Sequence, residues 1–126
     1  MILRRTLLLL FIGVSIQLSA QNIKFESIEH DFGNIDPKGR DVRHDFRFTN
    51  DGDAPLVIIN VVTNCNCTKA TYPKRPVMPG EEGVITISYD PKNQMGVLNK
   101  RVTILSNSDG EQNSLTVKGL ITDERQ

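Results

Sequence analysis

Between Asp41 and Thr49 the chain alternates without exception: Val42, His44, Phe46 and Phe48 fall on one side, and Arg43, Asp45, Arg47 and Thr49 on the other. A period of two sends successive side chains to opposite faces of an extended chain, so this segment has one face for a core and one for water. Gly83 to Tyr89 repeats the pattern, with Ile85, Ile87 and Tyr89 opposed to Val84, Thr86 and Ser88. Helical periodicity is sustained nowhere, and the class expected is all-β.

Turn chemistry divides the rest into short pieces. Ile23 to Glu29 reads as the first strand, closed by a turn at His30-Asp31-Phe32-Gly33. After Asp41 to Thr49, the run Asn50-Asp51-Gly52-Asp53 supplies residues that bond back to their own backbone, as in a hairpin connection. Leu56 to Val62 is apolar almost throughout, which suits a strand covered on both faces or a central one. A short extended piece ends at Tyr72, and Pro73, Pro76 and Pro79-Gly80 then exclude helix and central strand alike. Asp90-Pro91 ends the strand from Gly83, and Asn99 to Ser106 and Ser114 to Ile121 follow, joined through Asn107-Ser108-Asp109-Gly110. About seven strands at this spacing fit a two-sheet antiparallel sandwich of immunoglobulin-like type. There is no Trp, so the core must come from Val, Ile, Leu and Phe.

The amino terminus has the composition of a signal peptide over residues 1–20. Arg4 and Arg5 precede an apolar stretch from Leu7 to Ile16, and the small residues Ser19 and Ala20 come before polar Gln21. Cleavage after Ala20 leaves one small domain, residues 21–126, exported to the periplasm or the cell surface. Leu18 is bulky for its place before the cut, and an uncleaved anchor is the alternative. No second apolar segment of spanning length follows. Lys and Arg number 15 and Asp and Glu 15, and loss of Arg4 and Arg5 leaves a slightly acidic domain. Its basic residues are scattered, and the Lys74-Arg75 and Lys100-Arg101 pairs read as solvated surface, so nucleic acid is not an expected partner.

Six motifs in order, His30-Asp31-Phe32-Gly33, Phe46-Arg47-Phe48-Thr49-Asn50-Asp51-Gly52, Pro55-Leu56-Val57-Ile58, Cys65-Asn66-Cys67-Thr68, Pro79-Gly80 and Gly119, carry a resemblance. The chain resembles the bacterial exported family numbered 1573 among the domains of unknown function. The resemblance implies an immunoglobulin-like sandwich related to major sperm protein and pilus-chaperone domains, which bind or scaffold, and it implies no enzymatic activity. That family usually has Ser-Cys-Gly-Cys-Thr where this chain has Asn64-Cys65-Asn66-Cys67-Thr68. Asn is the best substitute for Gly at positive φ, which would preserve the turn.

Cys65 and Cys67 are the only cysteines. Export would place them where thiols tend to close, but on a straight strand a two-residue offset puts their Cα atoms at roughly the upper limit for a disulfide. A bend after Thr63, made by Asn64 and Asn66, would bring them closer. Three states stay open: a local disulfide, two free thiols, and a soft-metal site for Cu(I) or Zn. His30 and His44 are the only imidazoles and neither stands at metal-ligand spacing to the cysteines. His44 is expected as a hydrogen-bonded core histidine, His30 as a residue holding its turn. The loop aspartates Asp31, Asp36, Asp51, Asp53, Asp90 and Asp109 read as turn caps, because no run has the alternating ligands of a calcium loop.

These readings point to a non-catalytic binding or scaffolding module of the cell envelope, without cofactor, that recognises a protein partner through loops or an edge strand. The alternatives are a thiol-based metal or redox protein using Cys65 and Cys67, and a structural accessory subunit of an envelope complex.

Overall fold

The computed structural model describes Gly13, residues 21–108 and residues 113–123; the expected signal peptide, Gly13 apart, and Asp109-Gly110 of the last turn lie outside them. Among the described residues there are eight strands and no helix: β1 (Ile23–Phe25), β2 (Glu29–Ile35), β3 (Val42–Asn50), β4 (Ile58–Val62), β5 (Thr68–Thr71), β6 (Glu82–Tyr89), β7 (Gly96–Ser106) and β8 (Ser114–Ile121). They form two sheets, ordered β1-β3-β6-β5 and β2-β8-β7-β4. The chain is an all-β sandwich. All pairings are antiparallel except that of β2 with β8.

The alternation of β3 works as its sequence demands. Phe46 and Phe48 are buried while Arg43 and Arg47 are exposed, and β3 pairs with β6 from Val42↔Tyr89 to Thr49↔Glu82. Ile85 and Ile87 of β6 join Phe46 and Phe48 in the main core, met from the facing sheet by Val102, Ile104, Leu115 and Val117. Gly83 is required by this packing, because a Cβ there would fall on the Phe48 ring. A second, smaller apolar cluster at one end holds Ile35, Tyr89, Leu98 and Ile121, with Cys67 packed against it.

Three expectations are corrected at the rims. The first strand does not run to Glu29: β1 ends at Phe25, the chain crosses through Ser27, and β2 begins in the other sheet. His30 to Gly33 is therefore strand, not turn. Its turn chemistry is spent on a bulge between Asp31 and Asn34, where Asp31 Oδ1 accepts from the Gly33 N–H at 2.7 Å and Gly33 takes a φ of 70°. Gly119 on β8 lets this bulge lie close, since a Cβ there would press on Ile35 and on the Gly33 carbonyl.

The connection from Asn50 is not a hairpin but an arch between the sheets. Asn50 is fully buried; its Nδ2 donates to the carbonyls of Ala54 and Val77, each at 2.8 Å, and its Oδ1 accepts from Gly52 N–H. Both donors and the acceptor oxygen of this buried amide are thereby engaged in fixing the arch.

The segment from Leu56 is not a central strand. Leu56 makes a lone bridge to Val77, and β4 is the last strand of its sheet.

Candidate functional site

The turn between β4 and β5 carries the two cysteines. The chain leaves β4 at Val62, bends at Asn64 and turns through Asn66 and Cys67 before Thr68 starts β5. The Thr68 N–H donates to the Cys65 carbonyl at 3.1 Å, the Asp90 N–H to the Cys67 carbonyl at 2.8 Å, and Thr63 Oγ1 to the Thr68 carbonyl at 3.2 Å. This bend brings the two Cα atoms to 5.1 Å and the sulfurs are joined in a disulfide. Among the described residues the only non-glycine at positive φ is Asn93, so Asn66 does not hold the turn by taking a glycine conformation. Backbone hydrogen bonds hold it instead.

The two sulfurs sit in different surroundings. Cys67 packs against the smaller apolar cluster, and Cys65 borders a recess of about 280 Å³ together with Thr63, Asn64, Lys100 and Arg101. The Cys67 N–H donates to Cys65 Sγ at 3.1 Å. Lys100 lies on β7 between buried Leu98 and Val102 in the inward register and is itself half-buried. Of the Lys100-Arg101 pair, read from sequence as solvated surface, Arg101 is exposed while Lys100 is half-buried, and both line the recess that Cys65 lines, a placement only the sheet pairing could reveal.

His30 and His44 meet between the sheets. Their rings stack with centroids 3.7 Å apart and planes 8° from parallel. Phe32 stands edge-on to His30 and Phe46 edge-on to His44, each at 4.7 Å. His44 is half-buried rather than core, and its ring stacks on another imidazole. Burial pushes its pKa below 6.5, the neighbouring His30 pushes the same way, and Asp45 opposes both. Sequence did hold a sign of this pairing, the tripeptide His-Asp-Phe that occurs at residues 30–32 and again at 44–46.

Among the described residues no group of three or more His, Cys, Asp or Glu side chains is placed to hold a metal. Asp31, Asp36 and Asp90 each accept from a backbone N–H two residues on, which is the capping geometry of an Asx turn.

A third feature is the rim at β4. Val57, Ile59 and Val62 are exposed, Ile59 to 63%, and Leu105 on the neighbouring β7 is exposed beside them. No helix among the described residues is long and apolar enough to cross a membrane.

Comparison with known proteins bears on the fold. The family described as "Protein of unknown function (DUF1573)" matches residues 23–121. No curated protein matches by sequence. A protein of unknown function from Porphyromonas gingivalis W83 superposes with a TM-score of 0.70 at 18% identity, over 81% of this chain and 47% of that one. This chain therefore spans about half the length of that neighbour. A PapD-like domain of human CEP192 gives a TM-score of 0.65 at 8% identity over 83% of this chain and 87% of that one. The YadV chaperone gives 0.56 at 12% identity over 82% and 54%. At such identities the likeness is one of fold: an immunoglobulin-like, PapD-like sandwich.

Proposed function

The chain belongs to the DUF1573 family, and from that premise we propose that it is an exported binding module of the cell envelope that recognises a protein partner along the β4 rim. It works by binding rather than by catalysis. The observation that carries this reading is the exposed apolar row on an edge strand. An edge strand presents unpaired backbone groups, and proteins usually guard such edges with charge or proline. Here Val57, Ile59 and Val62 stand exposed in and beside β4, with Leu105 next to them, while β3, an inner strand of the other sheet, keeps its large apolar residues inside. An extended segment with alternate apolar side chains would meet both backbone and side-chain complements on this rim. The fold neighbours add a precedent of class, since one of them is a chaperone.

The test uses the chain as bait in its native envelope, beside an Ile59→Asp variant that puts a charge at the centre of the row. The parent should retain a protein that the variant loses, with the two melting alike. Equal capture by both would overturn the reading. Intact mass of the recovered bait reports on export: a chain beginning at Gln21 agrees with it, and one that still carries Met1 to Ala20 would make the apolar segment an anchor.

A further inference from the structure

A disulfide between residues two apart closes so short a loop that it removes little entropy from the unfolded chain, so it adds little to global stability. Three hydrogen bonds from Thr68 N–H, Asp90 N–H and Thr63 Oγ1 fix the same turn without it. The bond can therefore open without dismantling its surroundings. Its two sulfurs are also unequal. Cys65 Sγ receives the Cys67 N–H, and Cys65 lines a recess that Lys100 and Arg101 also line, with no carboxylate lining it among the described residues. Cys67 packs against the apolar cluster of Tyr89 and Leu98, and its sulfur lies 3.7 Å from the Thr68 hydroxyl, a longer contact than the N–H that Cys65 receives. A donated N–H and a nearby cation both stabilise a thiolate, and apolar packing does the reverse.

We propose that Cys65–Cys67 is a disulfide donor that exchanges with a dithiol of a peptide or protein, with Cys65 as the sulfur of the mixed disulfide. This goes beyond the binding reading and stands or falls separately from it.

The incoming thiolate is drawn to the cationic recess and attacks Cys65 Sγ. A bond forms between its sulfur and Cys65, the Cys65–Cys67 bond breaks, and Cys67 leaves as a thiolate that takes a proton from water. The second thiol of the same dithiol, having lost its proton to water, then attacks the partner's own sulfur in the mixed disulfide. The partner's disulfide forms and Cys65 leaves as the thiolate that Cys67 N–H and Lys100 stabilise. A good leaving group at this second step makes the mixed disulfide short-lived. The dithiol has lost two electrons to the cysteine pair and two protons to water; Cys67 has taken one proton back from water, Cys65 is left as the thiolate, and the second proton stays in the solvent. One dithiol is oxidised for each protein molecule, and no further oxidant enters the balance.

The experiment follows the exchange by acid quenching, alkylation and mass mapping. Oxidised protein mixed with a reduced two-cysteine peptide should give peptide disulfide and reduced protein in equal amounts. The sulfur is assigned with Cys67→Ser and Cys65→Ser variants and oxidised glutathione as probe: the Cys65 thiol should form its mixed disulfide several-fold faster than the Cys67 thiol. Lys100→Gln should slow the Cys65 reaction several-fold, and Lys24→Gln, remote on β1, should leave it unchanged. Should Lys100→Gln fold poorly, raising the salt concentration in the Cys67→Ser protein gives the same information by screening the cation, and should slow the reaction. The proposal is overturned if no peptide is oxidised, if the two single thiols react equally or Cys67 reacts faster, or if neither charge removal nor salt changes the Cys65 rate.

Discussion

Strand β3 in one sheet and strand β4 in the other are both rich in apolar residues, yet they use them in opposite ways. In β3 every second residue goes inward, and Phe46 and Phe48 are almost wholly buried, with charged residues facing water between them. In β4 the ladder with β7 slips between Ile58 and Asn60, and Ile59 is left 63% exposed. A strand with neighbours on both sides and one face on the core has no freedom of register, because a slip of one residue would turn the core face outward. A rim strand is held on one side only, so its side chains can serve something other than the core. That contrast separates what builds this molecule from what is available to a partner.

Truncation offers the harshest way to break the comparison. Phe46→Ala should cost about 3–5 kcal/mol, since it empties a filled site between the sheets. Ile59→Ser should change stability by no more than about 0.5 kcal/mol, as should Arg47→Ala on the wet face of β3. Chemical denaturation of the three variants reads this directly. A loss at Ile59 that rivals the loss at Phe46 would mean that β4 belongs to the core after all.

A smaller effect is expected at the cysteine turn, which joins the rim strand β4 to β5. Replacing both residues, Cys65→Ser with Cys67→Ser, should cost clearly less than the roughly 3 kcal/mol associated with closing a fifteen-residue loop. The backbone bonds to Cys65 O and Cys67 O are still there to hold the turn. Melting the double variant beside the parent decides, and a loss as large as that of Phe46→Ala would make the disulfide a structural staple.

The smallest effect belongs to the stacked imidazoles, which tie β2 at one rim to β3. His44 has its pKa lowered in the folded state, first by burial and then by His30. The unfolded chain therefore binds the proton more readily, so the stability that His44 contributes is complete above its ordinary value of 6.5 and is lost as pH falls below it through the folded value. Melting temperatures taken between about pH 8 and 5 should fall towards acid in the parent, and the fall should be shallower in His44→Phe. Parallel curves for the two would show that the stack does not titrate with folding.

How much of this could be read from the chain follows the same division. The β3 and β6 patterns specified their faces residue by residue, because each position there answers only to core or water. The rims mixed signals. Asp31 and Gly33 carry the chemistry of a turn, and the structure spends it on a bulge within β2. The apolar run from Leu56 looked buried on both sides, yet it breaks into one bridge residue and an edge strand. The bend at Asn64 and Asn66 was legible from local preference. That Lys100 and Cys65 line one recess and that His30 stacks on His44 was not, since each depends on how strands distant in sequence are laid across one another.

Amide hydrogen exchange, followed residue by residue in the free protein and with the envelope partner captured on it, tests the central claim most directly. Free protein should show slow exchange through β3 and β6 and fast exchange along β4. On binding, new protection should appear at Ile58 to Val62 and leave β3 and β6 as they were. Protection that appears on β1 or β2 instead, or none at β4, would contradict the account.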